Sequence, residues 1–164
     1  MLDDLRRRNR ERMHRIWQVA KSGDLDVLSG EERQFAEIML EHQYKYYNQF
    51  EMADVLGDHE FDPKSETDPF LHITFHTIAE NQVKAKEPVE AYQFYNSMKK
   101  KKVSHHDTMH LIGAILAPMI VDTMRQRKPF DSEKYKSLLK KFTGENPHKI
   151  MAWLERDADP LSEE

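Results

Sequence analysis

Helix-start signals precede almost every apolar stretch of this chain, and they constrain its fold more than any other feature. Ser29-Gly-Glu-Glu32 has the form of a capping box, in which a serine and a glutamate three residues on satisfy backbone N–H groups reciprocally. Asp68-Pro69 sets a good N-cap before a good first helical residue. Pro88, Ser104 with Asp107, Asp131-Ser132 and Asn146-Pro147 mark further starts, while Gly23 and Gly144 mark stops. Between these signals the apolar residues recur in steps of three and four. Leu5, Met13, Ile16, Trp17 and Ala20 line one side of a helix from near Asp3 to Lys21. Phe35, Met39, His42, Tyr46, Gln49 and Ala53 line a second helix, read as continuous, and Gly57 to Asp68 reads as a loop. No period-two strand and no internal repeat is present in the sequence. The expected fold is all-α: a single-domain irregular helical bundle of about six to seven helices. Residues 1–142 form the bundle domain in this reading, and residues 143–164 a short C-terminal helix around Met151, Trp153 and Leu154 with a loose acidic tail.

Composition narrows the function classes. An apolar fraction of 38% beside 33% charged residues suits helices with solvated outer faces better than an α/β enzyme. With no cysteine, disulfides, thiolate nucleophiles and thiolate metal sites are excluded. Met1 to Arg10 holds no apolar signal-peptide core and no run of eighteen apolar residues occurs, so the expected location is cytoplasmic, without a membrane span. A formal charge of −4 disfavours nucleic-acid binding by the molecule as a whole. The basic run Arg6 to Arg12 falls on the solvent side of the first helix, and Lys99 to Lys102 ends another helix, where the dipole favours cations. Aromatic residues do not interleave with either run as a single-strand binder requires.

Histidine placement is the main functional signal. His72 and His76 sit four apart, as do His106 and His110, and His42 lies on the apolar face of the second helix. A spacing of four stacks two side chains on one helix face, so each pair can present two imidazoles to one point. The five residues are candidate metal ligands, and neutral imidazoles favour zinc or iron. On the third helix Phe70, Leu71, Phe75, Ile78 and Ala79 form the core face, with His72, His76 and Glu80 along its border. The fifth helix is apolar around most of its circumference, through Met109, Leu111, Ile112, Ile115, Leu116, Met119 and Ile120. There His106, His110, Gly113 and Ala117 share a stripe, and Pro118 predicts a bend. Glu80, Asp107 and Glu41 are the carboxylates available to balance charge.

The alternative is a non-enzymatic interaction or regulatory module. Its histidines would be buried packing groups, and a protein partner would dock near Tyr44, Tyr46, Tyr47 and Phe50. A ferritin-like di-iron site is disfavoured, because it needs two inward Glu-x-x-His pairs plus two lone glutamates. Here Glu11/His14 points off the core face, Glu145/His148 straddles a helix start, and only Asp107/His110 fits. No nucleophile-elbow, phosphate-loop or His-Glu-x-x-His motif is present, so no catalytic residue or reaction is assigned.

The segment Asp68-Pro69-Phe70-Leu71-His72-Ile73-Thr74-Phe75-His76 resembles a motif of the bacterial uncharacterised proteins grouped as domain of unknown function 1841. The resemblance continues through Gln82, Pro88 and His106-x-x-x-His110, then Gln126-Arg-Lys-Pro-Phe-Asp131 and Tyr135. Upstream, Trp17, Gly23 and Ile38-Met-Leu-Glu-His42 are similar too, so it spans roughly residues 15 to 140. It implies no activity. The family pattern carries Pro-Glu-Tyr-His after the second-helix histidine, where this chain has Gln43-Tyr-Lys-Tyr46. Asn81 and Ala114 stand where the pattern has glutamates. Any site sharing those positions would be reduced here to histidines.

Overall fold

The computed structural model describes residues 2–62 and 65–158. They form eight α-helices: α1 (Leu2–Ser22), α2 (Gly30–Glu41), α3 (Gln43–Glu51), α4 (Pro69–Ala85), α5 (Val89–Lys100), α6 (His105–Gln126), α7 (Ser132–Phe142) and α8 (Pro147–Ala158). Two short 3-10 turns, Leu25–Val27 and Val55–Asp58, lie between them, and no strand occurs among the described residues. The tail from Asp159 onward lies outside the described residues.

The fold is all-helical, as the start signals indicate, but the helix count rises to eight. The second helix expected from the sequence is broken at His42, whose φ of −102° and ψ of 4° end α2 and open α3. Tyr46 also leaves helical dihedrals, at φ −119° and ψ 16°. No proline or glycine lies between His42 and Tyr46, and the three-and-four apolar spacing runs straight through the break. A residue pattern carries no trace of such an interruption.

Packing separates two compact units, Met1–Thr77 and Ile78–Glu164, with the boundary falling inside α4. In the first unit Met13, Ile16, Trp17, Phe35, Met39, Phe50, Phe70 and Ile73 make the core. Trp17 donates its Nε1–H to Glu51 at 2.8 Å, so the buried indole leaves no polar atom unsatisfied. Leu5, expected on this face, is exposed instead.

Arg10 reverses another expectation. It shares the side of Met13 and Trp17 at helical spacing and is buried rather than solvated. Its guanidinium donates to the Leu56 carbonyl at 2.6 Å and lies 4.6 Å from the Phe70 ring centroid. The rest of the basic run forms ion pairs, within α1 for Arg6 with Asp3 and Arg8 with Asp4, and with distant segments for Arg6 with Glu60, Arg7 with Asp58, and Arg12 with Glu31 and Glu32. Ser29 occupies the N-cap of α2 without a side-chain capping bond. Its expected capping partner Glu32 binds Arg15 and Arg12.

In the second unit Phe94, Met98, Met109, Ile112, Ile115, Tyr135, Leu139, Phe142 and Ile150 form a separate core. Here the predicted caps form. Ser104 Oγ accepts from the Asp107 N–H at 3.1 Å, Asp131 from Lys134 at 3.0 Å, and Asn146 from His148 at 2.8 Å. Helix α6 continues through Pro118 to Gln126, but its burial ends near Leu116. Beyond the proline Met119 and Ile120 are only half-buried and Met124 is exposed, so the central character expected of the whole helix belongs to its first half.

Candidate metal centre

The α2–α3 break determines how His42 is presented. At the junction its backbone N–H bonds back to Ile38, and its side chain is 1% exposed. The ring Nδ1 lies 2.8 Å from the Ile38 carbonyl oxygen. A carbonyl can only accept, so Nδ1 carries the proton and the neutral ring keeps its lone pair on Nε2. That arrangement recurs in metal-binding histidines, where a backbone carbonyl fixes tautomer and ring orientation.

Helix α4 supplies the other two imidazoles of this unit. His72 Nε2 lies 3.2 Å from His42 Nε2, with the rings edge-on at 73° and their centroids 4.9 Å apart. His76, one turn further on, meets the His42 ring at 5.1 Å and 89°. His76 is buried, not a border residue as its sequence position suggests, whereas Leu71, expected in the core, is exposed. Phe70, Phe75 and Ala79 are buried as expected, and the buried face widens to take in Ile73, His76 and Thr77. His72 is half-buried.

Tyr46 joins this group. It is 4% exposed, stacks beside His42 at 6.3 Å and 16°, and meets His72 at 5.7 Å and 60°. Among the described residues its buried hydroxyl has no hydrogen-bond partner. The sequence suggests a partner-docking surface near Tyr44, Tyr46, Tyr47 and Phe50. The structure buries Tyr46 and Phe50 and leaves Tyr44 and Tyr47 exposed, with Tyr47 edge-on to Trp17 at 5.6 Å. The signal that could have found Tyr46 is its four-residue spacing from His42.

In the second unit His106 and His110 lie on successive turns of α6, with ring centroids 4.1 Å apart at 62°, both half-buried. His110 also lines an open cleft of about 570 Å³ with Lys102, Asp107, Leu111, His148 and Met151. Among the carboxylates, Glu80 accepts from His105 Nε2 at 2.7 Å, and the other nitrogen of His105 is 2.9 Å from the Tyr95 hydroxyl. No sequence pattern marks His105 for this contact. Asp107 lines the cleft and Glu41 is exposed.

Residues 5–141 match the domain of unknown function 1841 (DUF1841). The chain belongs to that family. The match covers most of the sequence, including all five candidate histidines and Tyr46. No curated protein and no solved structure matches the chain. For this DUF1841 member, side-chain chemistry therefore carries the functional argument, since the family description names no activity.

Proposed function

We propose that this DUF1841 protein is a helical metal-binding protein in which His42, His72 and His76 hold one zinc or iron ion. The observation that carries the reading is the pair of facing nitrogens on His42 and His72, 3.2 Å apart. Two imidazole nitrogens at ~2.05 Å from a tetrahedral zinc stand roughly 3.3 Å from each other, so the pair stands at chelating separation. The Ile38 carbonyl holds the His42 lone pair on the required nitrogen. His76, in the same unit, would add a third imidazole, with a ring nitrogen within 4.8 Å of one from His42. An all-imidazole set suits zinc or iron(II) and supplies no negative charge, which leaves the ion strongly electrophilic toward an added anionic or water ligand.

Metal content by mass spectrometry tests this on untagged protein purified without chelator, beside His42→Ala and His72→Ala. Near-stoichiometric zinc or iron in the parent, lost from both variants, is the expected result. A metal-free parent whose thermal stability ignores added zinc and iron(II) would overturn it. The histidines would then be packing groups of an interaction module.

A further inference from the structure

Tyr46 has a property that its apolar packing does not explain. Its ring is wedged among His42, His72 and Phe50, and a phenylalanine would fill the same space. The hydroxyl adds a polar atom that is out of water and has no hydrogen-bond partner among the described residues. Burying such a group unpaired is costly, and buried hydroxyls in folded proteins are nearly always satisfied. The α3 backbone leaves helical dihedrals at this residue, one turn beyond the break that presents His42. Tyr46 and His42 therefore reach the same imidazole group from adjoining irregular turns.

We infer that Tyr46 is a ligand-positioning residue: its hydroxyl hydrogen-bonds a small oxygen- or nitrogen-donor molecule, a water or a small anion, bound at the histidine cluster. The inference rests on the metal reading above and deepens it by naming what the ion holds besides histidine. The phenol donates its proton to a lone pair of that molecule and needs no charge of its own. A small donor is specified because the buried Tyr46 lies against the rings of His42 and His72, which leaves room only for a compact molecule beside them. Such a hydroxyl orients a metal-bound molecule and stabilises negative charge on it, the electrostatic role that fixed donors play around reactive oxygens.

The experiment compares the parent with Tyr46→Phe after loading each with cobalt(II), which reports its coordination by visible absorption. Azide is then titrated as the small anion. Equal cobalt uptake is expected, with azide affinity weaker in Tyr46→Phe by roughly ten-fold or more, the loss of one hydrogen bond to a charged acceptor. Metal-free Tyr46→Phe should melt at or above the parent temperature, because it loses only an unpaired hydroxyl. Equal azide affinity in the two proteins, or a metal-free variant that melts well below the parent, would overturn the inference while leaving the metal reading in place. Failure of the parent to take up cobalt is a separate result. It would remove the metal reading and this inference with it.

Discussion

His42 and His72 face each other through their Nε2 atoms at 3.2 Å, although thirty residues separate them in sequence. One partner is anchored by a backbone carbonyl, and the other projects from a helix whose start is capped by Asp68 through the N–H groups of Phe70 and Leu71. Metal should therefore bind a prepared site and stabilise the folded chain by mass action, by about 2.7 kcal/mol at a hundredfold excess over Kd. Melting with and without zinc is the check. His72→Ala should lose most of the zinc-dependent rise while keeping the metal-free melting temperature within a few degrees, since His72 is only half-buried.

Arg10 anchors the first unit through burial rather than surface charge. Burial pulls its pKa down and the Asp68 carboxylate, 3.7 Å away, pushes it back up. A guanidinium remains charged throughout. Arg10→Ala would strand the Leu56 carbonyl and empty the space over Phe61 and Phe70. The expected loss in urea unfolding is about 2–4 kcal/mol. Arg10→Lys should recover little of it, because an ammonium cannot stack flat between two rings while donating to a carbonyl. Full recovery by lysine would show that charge alone matters.

Arg10 and His42 also mark the limit of what the residues disclose. Helix starts at Asp68, Ser104, Asp131 and Asn146 were legible because a cap is a local bond between neighbours in sequence. The two four-spaced histidine pairs were legible for the same reason, since helical periodicity alone puts their members side by side. Burial of Arg10 was not, because it depends on a carbonyl 46 residues away. The break at His42 hides behind an apolar spacing that a continuous helix would share. Glu32 shows local chemistry overruled by tertiary contact: the capping-box glutamate is taken by Arg12 and Arg15 from another helix.

The two serine caps give a paired test of that distinction. Ser104 Oγ accepts the Asp107 N–H at 3.1 Å, whereas Ser29 sits at the N-cap of α2 with no side-chain capping bond. Ser104→Ala should cost about 1 kcal/mol. Ser29→Ala should lie within about 0.5 kcal/mol of the parent, the range of an ordinary surface change. Denaturant midpoints of the two variants decide it. A larger loss at Ser29 would mean that the capping box forms after all.

Glu32 makes the pH dependence of the first unit specific. The hydrogen bond from Arg15 at 2.7 Å lowers its pKa most, partial burial opposes it, and Arg12 lowers it further. A carboxylate whose folded pKa is depressed stabilises the fold above its unfolded pKa of about 4.3 and loses that contribution as pH falls through the folded value. With the side chain 28% exposed, solvent screening limits the gain at neutral pH to about 0.5–1 kcal/mol. Glu32→Gln should therefore be less stable than the parent by that amount at pH 7. The two urea curves should converge as the pH falls through the depressed folded pKa of Glu32, below which both side chains are neutral. A gap that widens in acid has the opposite sign and would mean that Glu32 is held in its protonated form. High salt should narrow the neutral-pH gap without moving the acid-side convergence, because screening weakens the Arg12 and Arg15 attraction but does not supply a proton.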